Sequence, residues 1–300
     1  MIKIWLLLAI GLVGFQALAK DDPKIDQARK EAEIYAQRSL EARKKPERKL
    51  SAEEAEAEEV IKKEEVLIAE ADCIKDEDEV IKLYQDAAKI APGYDKSWWG
   101  LGMALWAKTN YLPKSTKEEK AEMLKILAQA KQACQKALEI DPMSPGANYW
   151  LSNILLTEAS LGNWVKGAII LPTIFKLSDK VAAVDPYYEH GAVFRTYAIV
   201  LTTVPTWLAA RFGFTPEIIL PYLDKAIELE PDYFANYLVR TGIYREIGGE
   251  ENKQKALQDL DYVLRHDPNA LEGYQAENRK QQKDARNIWK QITGKNYPDR

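Results

Sequence analysis

Residues 98–142 read WWGLGMALWAKTNYLPKSTKEEKAEMLKILAQAKQACQKALEIDP, and this stretch decides the fold. Its apolar and small residues recur at three- and four-residue spacing, the period of an amphipathic helix. It ends on Asp141-Pro142. Proline lacks the amide hydrogen and clashes with the preceding turn, so a helix should stop just before it. The ending KALEIDP at 136–142 returns as DAAKIAP at 86–92 and KAIELEP at 225–231. Asp185-Pro186 and Asp267-Pro268 punctuate the chain in the same way. Successive prolines are 50, 44, 45 and 37 residues apart, a degenerate repeat with insertions.

The repeat resembles the tetratricopeptide repeat (TPR), a helix–turn–helix unit of about 34 residues. Trp98, Leu101, Gly102 and Leu105 stand at the signature positions of its first helix, with Leu105 departing from the usual Tyr. Ala130, Cys134, Ala137 and Pro142 stand at those of its second, with Cys134 departing from Phe. The resemblance implies an all-α fold over residues 60–268: about five degenerate helix pairs, each burying its apolar face against a neighbour. Residues 269–300 are polar until Ile288, Trp289 and Ile292, which suits a C-terminal capping helix and tail.

The start of the chain reads differently. Lys3, an apolar run from Ile4 to Phe15 and the small-x-small triplet Ala17-Leu18-Ala19 form a secretory signal over residues 1–19. Cleavage there makes Lys20 the first mature residue and moves the net charge from −4 to −5. No Cys stands at the cleavage point to accept a lipid. From Lys20 to Glu65, 12 basic and 14 acidic residues take up 26 of 46 positions. Residues 20–59 therefore read as a charged linker or a solvated helix. Ser51 and Glu54 have the spacing of a capping box.

Composition excludes several functions. With 42 basic and 46 acidic side chains, no chain-wide nucleic-acid-binding field is expected. Two cysteines, Cys73 and Cys134, and two histidines, His190 and His266, leave no zinc-finger or HExxH spacing. No glycine-rich phosphate loop occurs. The expectation is a protein without cofactor or metal, and not an enzyme. Two inserts, at 162–177 and 199–214, are apolar and aromatic; they suit a buried helix with a packed loop, or the wall of an apolar cavity. Arg195, Pro205 and Arg211 argue against the second, extended back to Ala192, being a membrane span.

The stretch from Asp185 through Tyr187, Tyr188, Glu189, His190 and Arg195 to Val204-Pro205, Phe212-Gly213-Phe214 and Leu223–Tyr233 narrows the resemblance. It is similar to the TPR-containing T component associated with TRAP-type periplasmic transporters. That likeness implies an exported, periplasmic, all-helical protein whose partner is a periplasmic substrate-binding protein, with a hydrophobic small molecule as a second candidate. A cell-envelope scaffold without a small ligand is the alternative reading, and self-association is left open. The repeat register implied by the resemblance puts Trp99, Met103 and Trp106, then Tyr149 and Asn153, then His190 and Tyr197 on the inner, concave face. Arg195 is expected to pair with an acid such as Glu189 or to hold a ligand carboxylate.

Overall fold

The computed structural model describes residues 22–44, 48–63, 74–162, 164–203, 205–211, 213 and 215–298. Among them there is no strand. The helices are α1 (Pro23–Arg43), α2 (Ala52–Ile61), α3 (Ile74–Ile90), α4 (Asp95–Thr109), α5 (Lys117–Ile140), α6 (Pro145–Ser160), α7 (Trp164–Val184), α8 (Tyr188–Thr203), α9 (Thr206–Ala210), α10 (Pro216–Leu229), α11 (Phe234–Ile247), α12 (Glu250–Arg265) and α13 (Gln275–Thr293).

Local chemistry sets these boundaries. Helices α3, α5, α7, α10 and α12 each end two or three residues before the proline that the repeat supplies. Ser51 caps α2 and Thr116 caps α5 with complete capping boxes to Glu54 and Glu119. Ser144 and Thr215 cap α6 and α10, each followed by a proline in the first turn, where its missing N–H costs nothing. Pro172 and Pro221 lie inside α7 and α10 without ending them.

Neighbouring helices associate as pairs: α4 with α5, α6 with α7, α8 with α10, and α11 with α12. The first helices of successive pairs also touch, α4 on α6, α6 on α8 and α8 on α11, and α13 closes the array against α11 and α12. Close approach depends on small residues. A Cβ at Gly102 would overlap Cys134 Sγ, and one at Gly146 would enter the Trp99 ring. Cys134 is a free, buried thiol whose pKa burial pushes up to about 12. Cys73 and the signal segment lie outside the described residues.

The charged lead corrects the expectation of a linker or solvated helix. Its helix α1 buries Ile25, Ala28, Ala32 and Ala36, and docks on α10, far away in sequence. Tyr35 stacks 6.3 Å from Phe194 and 6.1 Å from Tyr222. Glu31 accepts from the Tyr222 hydroxyl, Glu33 pairs with Lys225, and Arg43 donates to the Tyr187 carbonyl. The core also begins before residue 60, since Ala57 of α2 is buried. The inserts are mostly helix: Leu171, Ile174 and Leu177 of α7 face the core.

Candidate functional site

The first helices of the pairs present an aromatic face at α4 and α6. Trp99, Met103, Trp106, Tyr149 and Trp150 are all half-buried, neither core nor free surface. Trp99 lies flat on Gly146, the one residue type that leaves room for an indole against the backbone. Trp106 donates from its indole nitrogen to Thr157 Oγ1 at 2.8 Å and sits 5.3 Å from Trp150. Trp150 is 4.9 Å from Tyr149, which meets Tyr188 edge-on at 6.2 Å. Each indole is therefore fixed by ring contact or hydrogen bond, which makes the face rigid.

The face stops at α8. Tyr197, expected on the inner surface, is buried, with its ring 5.8 Å from Phe175. Val193, Val200 and Leu201 are buried with it. The reason is enclosure: α6, α7, α9, α10 and α11 all touch α8, so in its Ala192–Leu201 stretch only Ile199 remains exposed. Asn153 is also buried, where its amide donates to the Tyr149 carbonyl at 3.1 Å. Tyr197 and Asn153 thus serve packing rather than an open groove.

His190 and Arg195 belong to a second, polar centre. Tyr188 starts α8, but Glu189, His190 and Gly191 have φ of 48°, 55° and 92° before the regular helix begins. Left-handed backbone is costly for residues with a Cβ. Arg195 holds this turn. It is only 6% exposed, and its guanidinium donates to the carbonyls of His190 at 2.8 Å and Glu189 at 2.7 Å and to Asn236 Oδ1 at 3.0 Å. It also lies 4.7 Å over the Tyr233 ring. The expected pairing with the Glu189 side chain is corrected: Arg195 takes the Glu189 carbonyl, while the Glu189 carboxylate accepts from the Tyr274 hydroxyl at 2.5 Å.

The ring of His190 sits 4.8 Å from both Tyr233 and Tyr274. Burial, and next the positive charges of Arg195 and Arg43, lower its pKa to about 4, so it is neutral at pH 7. Its Nδ1 lies 3.6 Å from Glu230, too far for a hydrogen bond. Glu277 accepts from the Tyr233 hydroxyl at 2.9 Å. Burial raises its pKa while Arg195 opposes the rise.

The structure therefore divides the eight sequence candidates. Trp99, Met103, Trp106 and Tyr149 share a face; His190 and Arg195 form the polar centre; Asn153 and Tyr197 are buried. Sequence reasoning missed Tyr233, Asn236, Tyr274 and Glu277 at the centre. The last two come from residues 269–300, and α13 brings them there because Asn278 caps α11, accepting from the Phe234 amide and donating to the Asp232 carbonyl. The only readable hint was an Asn-bearing first turn after Glu230-Pro231. Two surface clefts, of about 400 and 410 Å³, lie elsewhere, one between α1 and α10 and one between α12 and α13. Among the described residues, no group of three or more His, Cys, Asp or Glu could hold a metal ion, and no helix is long and apolar enough to cross a membrane. Compared with family models and with curated proteins, the chain matches none of either.

Proposed function

We propose that this is an exported TPR-like interaction protein, an accessory component of a TRAP-type uptake system that docks a periplasmic substrate-binding protein without catalysis of its own. The observation that carries this reading is the rigid, half-exposed aromatic face of Trp99, Met103, Trp106, Trp150 and Tyr149. Fixed aromatic side chains bury large area on association while losing little rotamer freedom, which is why they dominate interface energetics. The contacts between first helices, α4 to α6 to α8 to α11, suit a TPR-like superhelix with this face on its inner side. A small apolar ligand enclosed along the whole groove is the weaker reading, because the face ends where Tyr197 and Arg195 are buried.

The test is titration calorimetry with a purified TRAP-type substrate-binding protein from the same genome. Trp99→Ala with Trp106→Ala should weaken binding by at least tenfold, the loss of a hot spot of about 1.4 kcal/mol or more, with helicity retained. Binding unchanged in the folded double variant sinks the docking face. Native mass spectrometry on protein purified from cells separates the readings: a co-purified apolar molecule supports the ligand, and its absence supports docking alone.

A further inference from the structure

Beside the enclosed stretch of α8, the aromatic face turns toward the start of that helix. Rings follow one another from Trp106 to Trp150 at 5.3 Å, to Tyr149 at 4.9 Å and to Tyr188 at 6.2 Å. Glu189 is next in the chain, and its carboxylate accepts from the Tyr274 hydroxyl at 2.5 Å. Tyr274 meets Tyr233 at 5.1 Å, and the Tyr233 hydroxyl donates to Glu277 at 2.9 Å. The face of α4 and α6 is therefore continuous with the polar centre.

That centre has a buried floor and a half-buried rim. Arg195, Tyr233 and Asn236 are buried. Tyr149, Tyr188, Glu189, Tyr274 and Glu277 each keep part of their surface in water. Burial is nonetheless the leading cause that raises the pKa of Tyr149, Tyr188, Tyr274 and Glu277. Side chains that are surrounded by protein and still reached by water line a concavity. The Tyr188 hydroxyl has no hydrogen-bond partner among the described residues, and it stands in the field of Glu189 and Asp95.

The concavity is negative. Glu189 and Glu277 accept from tyrosine hydroxyls and Asp95 opens α4; among the described residues none of the three forms an ion pair. Most nearby cations are taken. Lys96 pairs with Glu58 at 2.5 Å, and Arg43 lies 3.9 Å from Asp185. The Arg195 fork is turned to two carbonyls and Asn236 in the floor. Lys280, one turn beyond Glu277, is exposed and makes no ion pair with it. His190 is neutral at pH 7. Three carboxylates thus accompany one buried guanidinium, so an incoming anion meets acids first. A cation gains more from a partly desolvated carboxylate than from one in bulk water, and tyrosine rings attract it to their faces.

We infer that the concavity receives an arginine side chain of the docked partner, its guanidinium held by Glu189 and Glu277 among the rings of Tyr149, Tyr188 and Tyr274. The inference rests on the docking reading for where the partner sits, since the aromatic face leads directly to the site. Arginine suits it better than lysine, because a planar fork pairs with carboxylates and stacks on rings.

The experiment uses two probes on the full-length protein. The first is N-acetyl-arginine methylamide against its uncharged isostere N-acetyl-citrulline methylamide, titrated by NMR on the amides of Tyr188, Glu189 and Glu277. The arginine derivative should bind roughly tenfold tighter. Glu189→Gln with Glu277→Gln, which leaves each tyrosine an acceptor, should remove that margin. Equal binding of the two derivatives, or a margin unchanged in the folded double variant, overturns the inference. The second probe is the TRAP-type substrate-binding protein. The double variant should weaken its binding roughly tenfold and flatten its salt dependence. Unchanged binding overturns the inference while docking on Trp99 and Trp106 stands. A wild type that takes the arginine derivative but not the protein does the reverse: it supports the guanidinium site and sinks the docking partner. If the double variant does not fold, the margin between the two derivatives on the wild type decides.

Discussion

Replacing Arg195 with methionine tests the account of the polar centre most directly. Methionine keeps much of the volume and removes the fork. Three hydrogen bonds go with it, to the carbonyls of Glu189 and His190 and to Asn236 Oδ1. The Glu189 carbonyl loses the guanidinium in a left-handed turn, and Glu277 loses the positive charge that opposes its burial. Removing one partner of a buried charged network costs about 3–5 kcal/mol, because what remains is desolvated and uncompensated. For a chain of this size that is a fall in melting temperature of roughly 6–15 °C. The assay is a thermal melt by circular dichroism, with hydrogen exchange to locate the loss. Amides of α8, α11 and the start of α13 should lose protection, while those of α4 and α5 keep theirs. The pH dependence has a sign. Without Arg195 the Glu277 carboxyl, already raised by burial, rises further above its unfolded value. A raised carboxyl destabilises the fold most when ionised in the unfolded chain. The deficit of Arg195→Met should therefore be largest near pH 7 and shrink as pH falls toward 5. A variant within about 1 kcal/mol of wild type, or a deficit independent of pH, would refute the argument that this guanidinium is a structural clamp.

Two further predictions concern packing and protonation. Gly102→Ala places a methyl group on Cys134 Sγ, and overpacking of this kind costs about 1–3 kcal/mol; in a double-mutant cycle by urea denaturation, Cys134→Ala should recover part of it, and full additivity would disprove the contact. His190 is held below its unfolded pKa, to about 4, so the unfolded chain binds the extra proton first and stability should fall as pH drops from about 6.5 to 4. His190→Gln should flatten that part of the stability profile; an unchanged profile would show that His190 is not buried against Tyr233 and Tyr274.

The amino-acid order by itself carried the helix boundaries. Asp-Pro and Glu-Pro end helices wherever they stand, and Ser51 starts one, because these effects act within one turn of chain. The small residues at Gly102 and Cys134 were legible for the same reason: close approach of paired helices requires them whatever surrounds the pair. That Trp99 and Trp106 lie on one side of their helix was legible too, since a three- and four-residue spacing fixes which side chains share a helix face.

Three-dimensional packing decided the rest. The repeat register implied by the resemblance places Tyr197 on the same face as Trp99, but it cannot count neighbours, and α8 has them on nearly every side. The left-handed turn at Glu189–Gly191 left no trace in composition, because Arg195 and Asn236 stabilise it from other turns of chain. The lead helix α1 looked solvated by charge content; only the fold shows that its alanines at four-residue spacing lie against α10, with Tyr35 beside the stacked rings of Phe194 and Tyr222. Glu277 and Tyr274 reach Arg195 from some 80 residues away. Local rules read punctuation and periodicity, whereas burial, charge pairing and strain depend on what long-range contacts bring close.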